Sequence, residues 1–296
     1  MTRRRQFFDF LFSIFGFLTL IFALVFLCAL VIDLATTGVA RIDLQFLTSF
    51  PSRFAGRAGI LSAWVGSLLV MLTTAFCAIP LGIAAAVYLE EYAKKNWFST
   101  LIEININNLA GVPSIIYGLM ALGIFVHQMQ LGQSVLTAGL TLGLLVLPII
   151  IVTTRESLRT IPLHIREAAF ALGASRWQVI WDHLLPYSSG GIMTGVIIAL
   201  SRAIGETAPL ITIGALTFIS FLPPSPITDI PPYFSFAWLK SAFTVLPIQM
   251  FNWVSRPQEE FHVNAAATGL VLLILTLVLN SFAIWLRYRF RKKYKW

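Results

Sequence analysis

What this 296-residue chain lacks first is charge: Asp, Glu, Lys and Arg make up 11% of it, against 57% hydrophobic residues. With a mean hydropathy of +0.82, it has too little polar surface to coat a water-soluble globule of this length, and it belongs in a bilayer. Cysteine is nearly absent. Cys28 and Cys77 both fall in apolar runs and read as free buried thiols, leaving no disulfide framework and the redox compartment open. The four histidines, His127, His164, His183 and His262, stand far apart and none has zinc-ligand spacing. No G-x-S-x-G or H-E-x-x-H occurs, so the sequence offers no nucleophile elbow or zincin helix for a membrane-embedded enzyme. A G-x-x-x-x-G-K-[ST] run is missing as well. This chain is therefore not expected to bind ATP through a P-loop, and any energy it uses arrives through a partner.

Long apolar runs occupy residues 10–32, 63–88, 109–127, 135–152, 190–213 and 263–286. Each is near the roughly 20 residues that cross hydrocarbon as a helix. Unpaired backbone groups in lipid cost several kcal/mol each and no barrel-type alternation is visible, so an all-α membrane protein of about six transmembrane helices is expected. Acidic residues are the scarcer sign, 13 against 21 basic, for a net charge of +8. Placing the N-terminus inside puts Arg3, Arg4, Arg5, Lys94, Lys95, Arg155, Arg159, Arg166, Arg176 and the tail from Arg287 in the cytoplasm. The other side receives Arg41, Arg53, Arg57, Lys240 and Arg256. Short loops rich in Lys and Arg stay inside, so both termini are expected in the cytoplasm. The pI of 9.8 is explained by loops facing anionic lipid, with no nucleic acid required. The run 7–34 is longer than a signal-peptide core and lacks a small-residue cleavage site, so it reads as a retained first helix.

The expected organisation is an N-terminal helix with a first external segment (1–58), a five-helix membrane unit (59–286) and a basic cytoplasmic tail (287–296). A second external segment, 217–262, is broken by Pro223, Pro224, Pro226, Pro231 and Pro232. Trp238 and Trp253 there would suit a membrane interface. It reads either as a seal over the outer face or as a docking surface. Glu90 and Glu91, ending the second span, read as solvated flanking charges.

Two local patterns carry chemistry. The first is the polar stretch 155–186. Ile161 and Pro162 break continuation from the fourth span, then Ile165, Ala168, Ala169 and Leu172 recur at helical spacing beside Arg166 and Glu167. Gly173 stops or bends that helix by tolerating the left-handed cap conformation, and a second piece, 176–184, ends at Pro186. The second is the run 200–210, where Arg202 and Glu206 lie one turn apart inside apolar sequence. A charge at mid-bilayer costs about 3 kcal/mol on insertion scales, so such residues face a cavity or a partner. Gly191, Gly195, Ala199 and Ala203 form a small-residue stripe adjoining the pair. Pro209 cannot donate to the carbonyl of Gly205 and is expected to kink or end the helix. A guanidinium binds phosphate-type oxygens bidentately, and Glu206 can neutralise it when no anion is present. The pair reads as an anion contact or gate, or as a structural ion pair that fixes helix packing. Gly111 and Pro113 disrupt the third span beside Ser114 and Tyr117, either as a kink or as pathway lining.

The stretch 155–186 is similar to the EAA pattern of ABC importer permeases, E-A-A-x3-G-x9-I-x-L-P. Glu167, Ala168, Ala169, Gly173, Leu185 and Pro186 match it, and His183 stands where the pattern has Ile. The runs SRAIGETAPL (201–210), AGVPSIIYGL (110–119), PLGIAAAVYLEEYA (80–93) and VLPIQMFNWVSRPQEEFHVNAAA (245–267) resemble the PstA-type permease subunits of bacterial phosphate ABC transporters, over most of residues 59–286. That resemblance implies a type I ABC importer permease core in the inner membrane, with a cytoplasmic coupling helix at Glu167. It implies a non-catalytic subunit without a cofactor of its own. The implied partners are a paralogous PstC-type permease, a dimeric PstB-type subunit that binds ATP and Mg, and an extracytoplasmic PstS-type phosphate-binding protein. Substrate contact or gating then falls to Arg202, Glu206, Thr207, Ser114 and Tyr117. A permease for sulfate or phosphonate, or a gradient-driven anion transporter working alone, is the alternative.

Overall fold

The computed structural model describes residues 2–94, 96–227 and 233–293, with side chains from 6 to 289 within those stretches. Lys95, Asp229, Pro231, Pro232 and Lys295, and the side chains of Arg3, Arg4, Arg5, Arg291, Lys292 and Lys293, lie outside the described residues. In chain order the helices are α1 (Thr2–Gly38), α2 (Leu44–Thr48), α3 (Leu61–Val87), α4 (Trp97–Leu109), α5 (Ser114–Ala121) and α6 (Val135–Arg159). There follow α7 (Leu163–Ala171), α8 (Arg176–Gln178), α9 (Leu185–Gly205), α10 (Ala208–Thr212), α11 (Leu246–Val254) and α12 (Glu259–Lys293). Among the described residues five helices are long and apolar enough to cross a membrane, and α4 with α5, bent by 106°, can make a sixth crossing. That bend falls at Gly111 and Pro113, the pair expected to disrupt the third span. The apolar-run reading missed α4 itself, whose Asn and Glu residues dilute its hydropathy.

The bundle core is the contact of α3, α6 and α9. Small residues set the spacing, as helix association in lipid requires. A Cβ on Gly139 would lie 2.4 Å from Thr73 of α3, and one on Gly195 would lie 1.9 Å from the Thr153 hydroxyl of α6. The stripe on α9 thus serves packing against α6 within this chain. Val70, Leu142, Val146, Ile150, Ala199 and Ala203 fill the space between. In contrast, α1 is apolar on every side and exposed over residues 6–30, and its C-terminal end packs on α12, where Leu34 lies beside Gly269 and Gly38 meets the backbone of Ala267. Cys28 on this helix is exposed and Cys77 half-buried, so the expectation of two buried thiols is corrected. Facing lipid satisfies an apolar thiol as well as a core does.

The segment 217–262 also differs from expectation. Trp253 is fully buried and Trp238 nearly so. Trp253 packs between Phe46 and Phe261, with ring centroids 6.0 and 6.4 Å away, and Ser67 of α3 accepts from the Leu246 amide at 2.9 Å. The segment folds back as α11 into the bundle end, so these indoles are core residues instead of interfacial ones. Arg41 locks the same end by donating to Asn264 at 2.9 Å and to the Ala58 carbonyl at 2.9 Å.

At the opposite end the chain leaves α6, makes α7, turns and enters α9. The second helical piece does not stop at Pro186. Residues Val179–Leu184 form a π-helical turn that runs straight into α9, with the Leu185 amide donating to Ile180. This widened turn loosens the backbone where the N–H of Pro186 is missing, so Arg176–Gly205 is one continuous span.

Candidate functional site

Two regions hold the residues expected to act. At the α6 end, α7 is a short helix whose inner face packs Ala169 and Ile165 against Leu158, Ile161, Val179, Ile180 and Leu184. It ends where Gly173 takes φ +84°, in the left-handed region, and the Ala174 amide reaches back to the Ala169 carbonyl at 3.1 Å. Ala169 therefore faces its own chain. Glu167 and Ala168 point outward, and the same surface exposes Leu163, Phe170 and Leu172, with Trp177 and Trp181 stacked at 5.5 Å. Glu167 makes no ion pair among the described residues. His183 leaves the packing intact by stacking on Tyr187, while its neighbour Leu184 fills the core. Leu185 and Pro186 form the first turn of α9.

What holds this loop in place was invisible to the spacing arguments. Glu90 and Glu91 sit in a π-helical turn, Tyr88–Tyr92, that prolongs α3. Glu90 accepts from Arg159 at 2.9 Å and Arg155 at 3.4 Å, and Glu103 of α4 pairs with Arg155 at 3.1 Å. Glu91 pairs with Arg166 of α7 at 2.9 Å, and Arg166 also donates to the carbonyls of Leu158 and Ile161. Arg176 donates to the Glu91 carbonyl at 3.2 Å and lies over the Tyr92 ring. Glu90 and Glu91 are thus not solvated flanking charges. Their side chains are 19% and 13% exposed because the arginines of α6 and α7 close over them. The signal available in the sequence was opposite charge on one side of the membrane; the π-turn that aims it was not.

The second region lies where α9 ends. Arg202 occupies its last turn, and Glu206 just beyond has extended backbone (φ −76°, ψ 119°), so the helix stops at Gly205 and the expected span 190–213 is cut short. Pro209, in the first turn of the separate helix α10, is the physical reason: its ring and missing N–H forbid continuation. Arg202 Nε meets Glu206 Oε1 at 3.3 Å, with the arginine side chain 42% and the glutamate 18% exposed. Thr207 begins α10 without capping it through its side chain.

The two distant runs expected to matter meet here. A Cβ on Gly118 would lie 1.8 Å from the Thr212 hydroxyl and 2.7 Å from Cα of Pro209, so only glycine lets α5 approach α10 so closely. Tyr117 is buried and donates its hydroxyl to Leu109 at 2.8 Å, tying α5 to α4 across the bend. Ser114, half-buried, opens α5. Of the expected residues, Arg202, Glu206 and Thr207 lie together at the α9 break. Tyr117 and Ser114 belong to the helix packed against α10. The group around Glu167 belongs to the far end of α9. The first region can dock an apolar groove carrying a base near Glu167. The second can offer an incompletely engaged guanidinium to an oxyanion.

Residues 78–296 match the family described as binding-protein-dependent transport system inner membrane component. The phosphate transport system permease protein PstA of Yersinia pestis is 32% identical, over 90% of this chain and 85% of that protein. The probable ABC transporter permease protein YqgI of Bacillus subtilis is 31% identical, over 86% and 87%. Among solved structures, the fold is similar to that of an alginate ABC transporter determined with an alginate-bound periplasmic protein (TM-score 0.65, 15% identity, 93% of each chain). It also resembles the MetNI methionine ABC transporter in an inward facing conformation (TM-score 0.59, 16% identity, 78% of this chain and 95% of that one).

Proposed function

The chain belongs to the family of binding-protein-dependent transport system inner membrane components, and from that premise we propose that it is the PstA-type permease subunit of an ATP-driven phosphate importer. It forms half of the translocation pathway and hydrolyses nothing itself; ATP and Mg belong to a partner ATPase dimer. A PstC-type permease completes the pathway, and a PstS-type protein delivers phosphate from outside. The α7 end and both termini face the cytoplasm.

The observation that carries the reading is the α7 surface. A short helix fixed by Arg166 and Glu91 presents Phe170, Leu172, Trp177 and Trp181 to solvent at the end of a membrane bundle, with an unpaired Glu167 among them. That much apolar area outside the bilayer calls for a protein partner. Closure of the ATPase pair pushes on this surface, and the rigid connection of α7 to α3, α6 and α9 passes the displacement to the break at Glu206. Arg202, with most of its donors unengaged, meets the passing oxyanion, and Thr207, Ser114 and Tyr117 position the break around it.

The test is ATP hydrolysis in proteoliposomes holding all four kinds of subunit. Stimulation by phosphate, dependent on the phosphate-binding protein, is the expected result. Stimulation by sulfate or phosphonate with their own binding protein would keep the architecture and replace the substrate.

A further inference from the structure

Beneath Arg202 on α9, toward the α7 end, runs an open groove of about 360 Å³ between α6 and α9, apolar over most of its lining but carrying several hydroxyls. Gly191, Gly195, Ile198 and Arg202 follow one another at spacings of four, three and four, so Arg202 and the floor of the groove share a helical face. The opposite wall is α6, which contributes Thr153 and Ser157. Thr194 completes the α9 side, about 12 Å below Arg202 at 1.5 Å per residue. Its hydroxyl accepts from Arg287 of α12 at 2.9 Å, which places a second guanidinium beside the groove.

Resting on the function proposed above, we propose that this groove is the inner vestibule of the anion pathway, reached from Arg202 past the apolar side chain of Ile198. The hydroxyls explain how it works. Thr153, Ser157 and Thr194 each donate to a carbonyl of their own helix, at 2.8, 2.7 and 2.7 Å, which leaves Thr153 and Ser157 with acceptor lone pairs for water, while Thr194 accepts from Arg287. Hydroxyls whose protons are already committed hold water better than a bare anion, and the Arg287 guanidinium, with one donor on Thr194, draws the hydrated anion onward from Arg202. The volume accommodates on the order of ten waters, enough for phosphate to regain a hydration shell after leaving Arg202. Glu156 at the rim is exposed and repels an anion that lingers. The groove therefore releases phosphate where Arg202 attracts it, and its open side is the wall that the paired permease supplies.

Single cysteines test this in the assembled transporter, with Cys28 and Cys77 replaced by alanine, in inside-out vesicles exposed to a small anionic methanethiosulfonate. Thr276→Cys, in the apolar groove between α3, α9 and α12, is the control. Ser157→Cys and Thr194→Cys are expected to react at least tenfold faster than the control, and their modification to lower phosphate uptake at least fivefold. Reaction no faster than the control at both positions, or fast reaction with uptake unchanged, overturns the vestibule. Fast reaction in a transporter that carries sulfate but not phosphate supports the aqueous groove and overturns only the substrate.

Discussion

The two sets of charges in this protein are built on opposite plans. At the α7 end, Glu90, Glu91 and Glu103 face Arg155, Arg159 and Arg166, and Arg155 and Arg159 each reach two carboxylates drawn from two helices. At the α9 break, Arg202 meets one carboxylate, four residues along its own chain, at 3.3 Å. A closed network spends its donors on the fold and fixes geometry. A single loose pair leaves donors over, and a guanidinium has five. The difference separates charges committed to the fold from a guanidinium left with free donors, the one for which an anion contact is proposed.

The largest effect is expected at Arg155, whose side chain is 9% exposed between Glu90 and Glu103. Removing this buried member leaves Glu90 and Glu103 to share the half-exposed Arg159 and empties the space the side chain filled, at a cost of up to about 3 kcal/mol. Arg155→Ala is expected to lose most folded protein, read as recovery of monodisperse complex in detergent; recovery equal to the native chain would show the network to be dispensable. Arg202→Gln should do the reverse. An exposed single pair is worth about 0–1 kcal/mol, so assembly and melting temperature stay near native while phosphate uptake falls by about a hundredfold; undiminished uptake would remove Arg202 from the pathway.

Two smaller effects sharpen the contrast. Gly173→Asp forces a side chain into φ +84°, a strain of about 1–2 kcal/mol. It should keep the protein inserted while uncoupling ATP hydrolysis from uptake, as should Glu167→Lys; a native ratio of phosphate moved to ATP hydrolysed in both variants would exclude α7 from coupling. Arg159→Ala is expected to change least, within about 1 kcal/mol, since its side chain is 51% exposed and Arg155 still covers Glu90. A loss as large as that at Arg155, seen by thermal melting, would mean that the network acts as a unit.

Much of this was legible locally. The stop at Gly173, the end of α9 ahead of Pro209, the bend at Gly111 and Pro113 and the i,i+4 pairing of Arg202 with Glu206 all follow from backbone chemistry within a few residues. The running-on of α9 through Pro186 was not, because a π-turn upstream absorbed the break. Nor was the burial of Trp253, since an aromatic near a membrane boundary looks the same whether it faces lipid headgroups or Phe46.

Composition and local pattern place this chain in a membrane and mark most of its spans and several of its breaks, because hydropathy, glycine and proline act on the residues beside them; α4 and the passage through Pro186 escaped because neither follows from neighbouring residues alone. Only the tertiary structure decided which charges are structural and which remain available. Glu90 finds Arg159 across 69 positions and Glu91 finds Arg166 across 75. The choice of partner depends on how α3, α4, α6 and α7 converge, and the strength of the pair depends on how much water that convergence leaves.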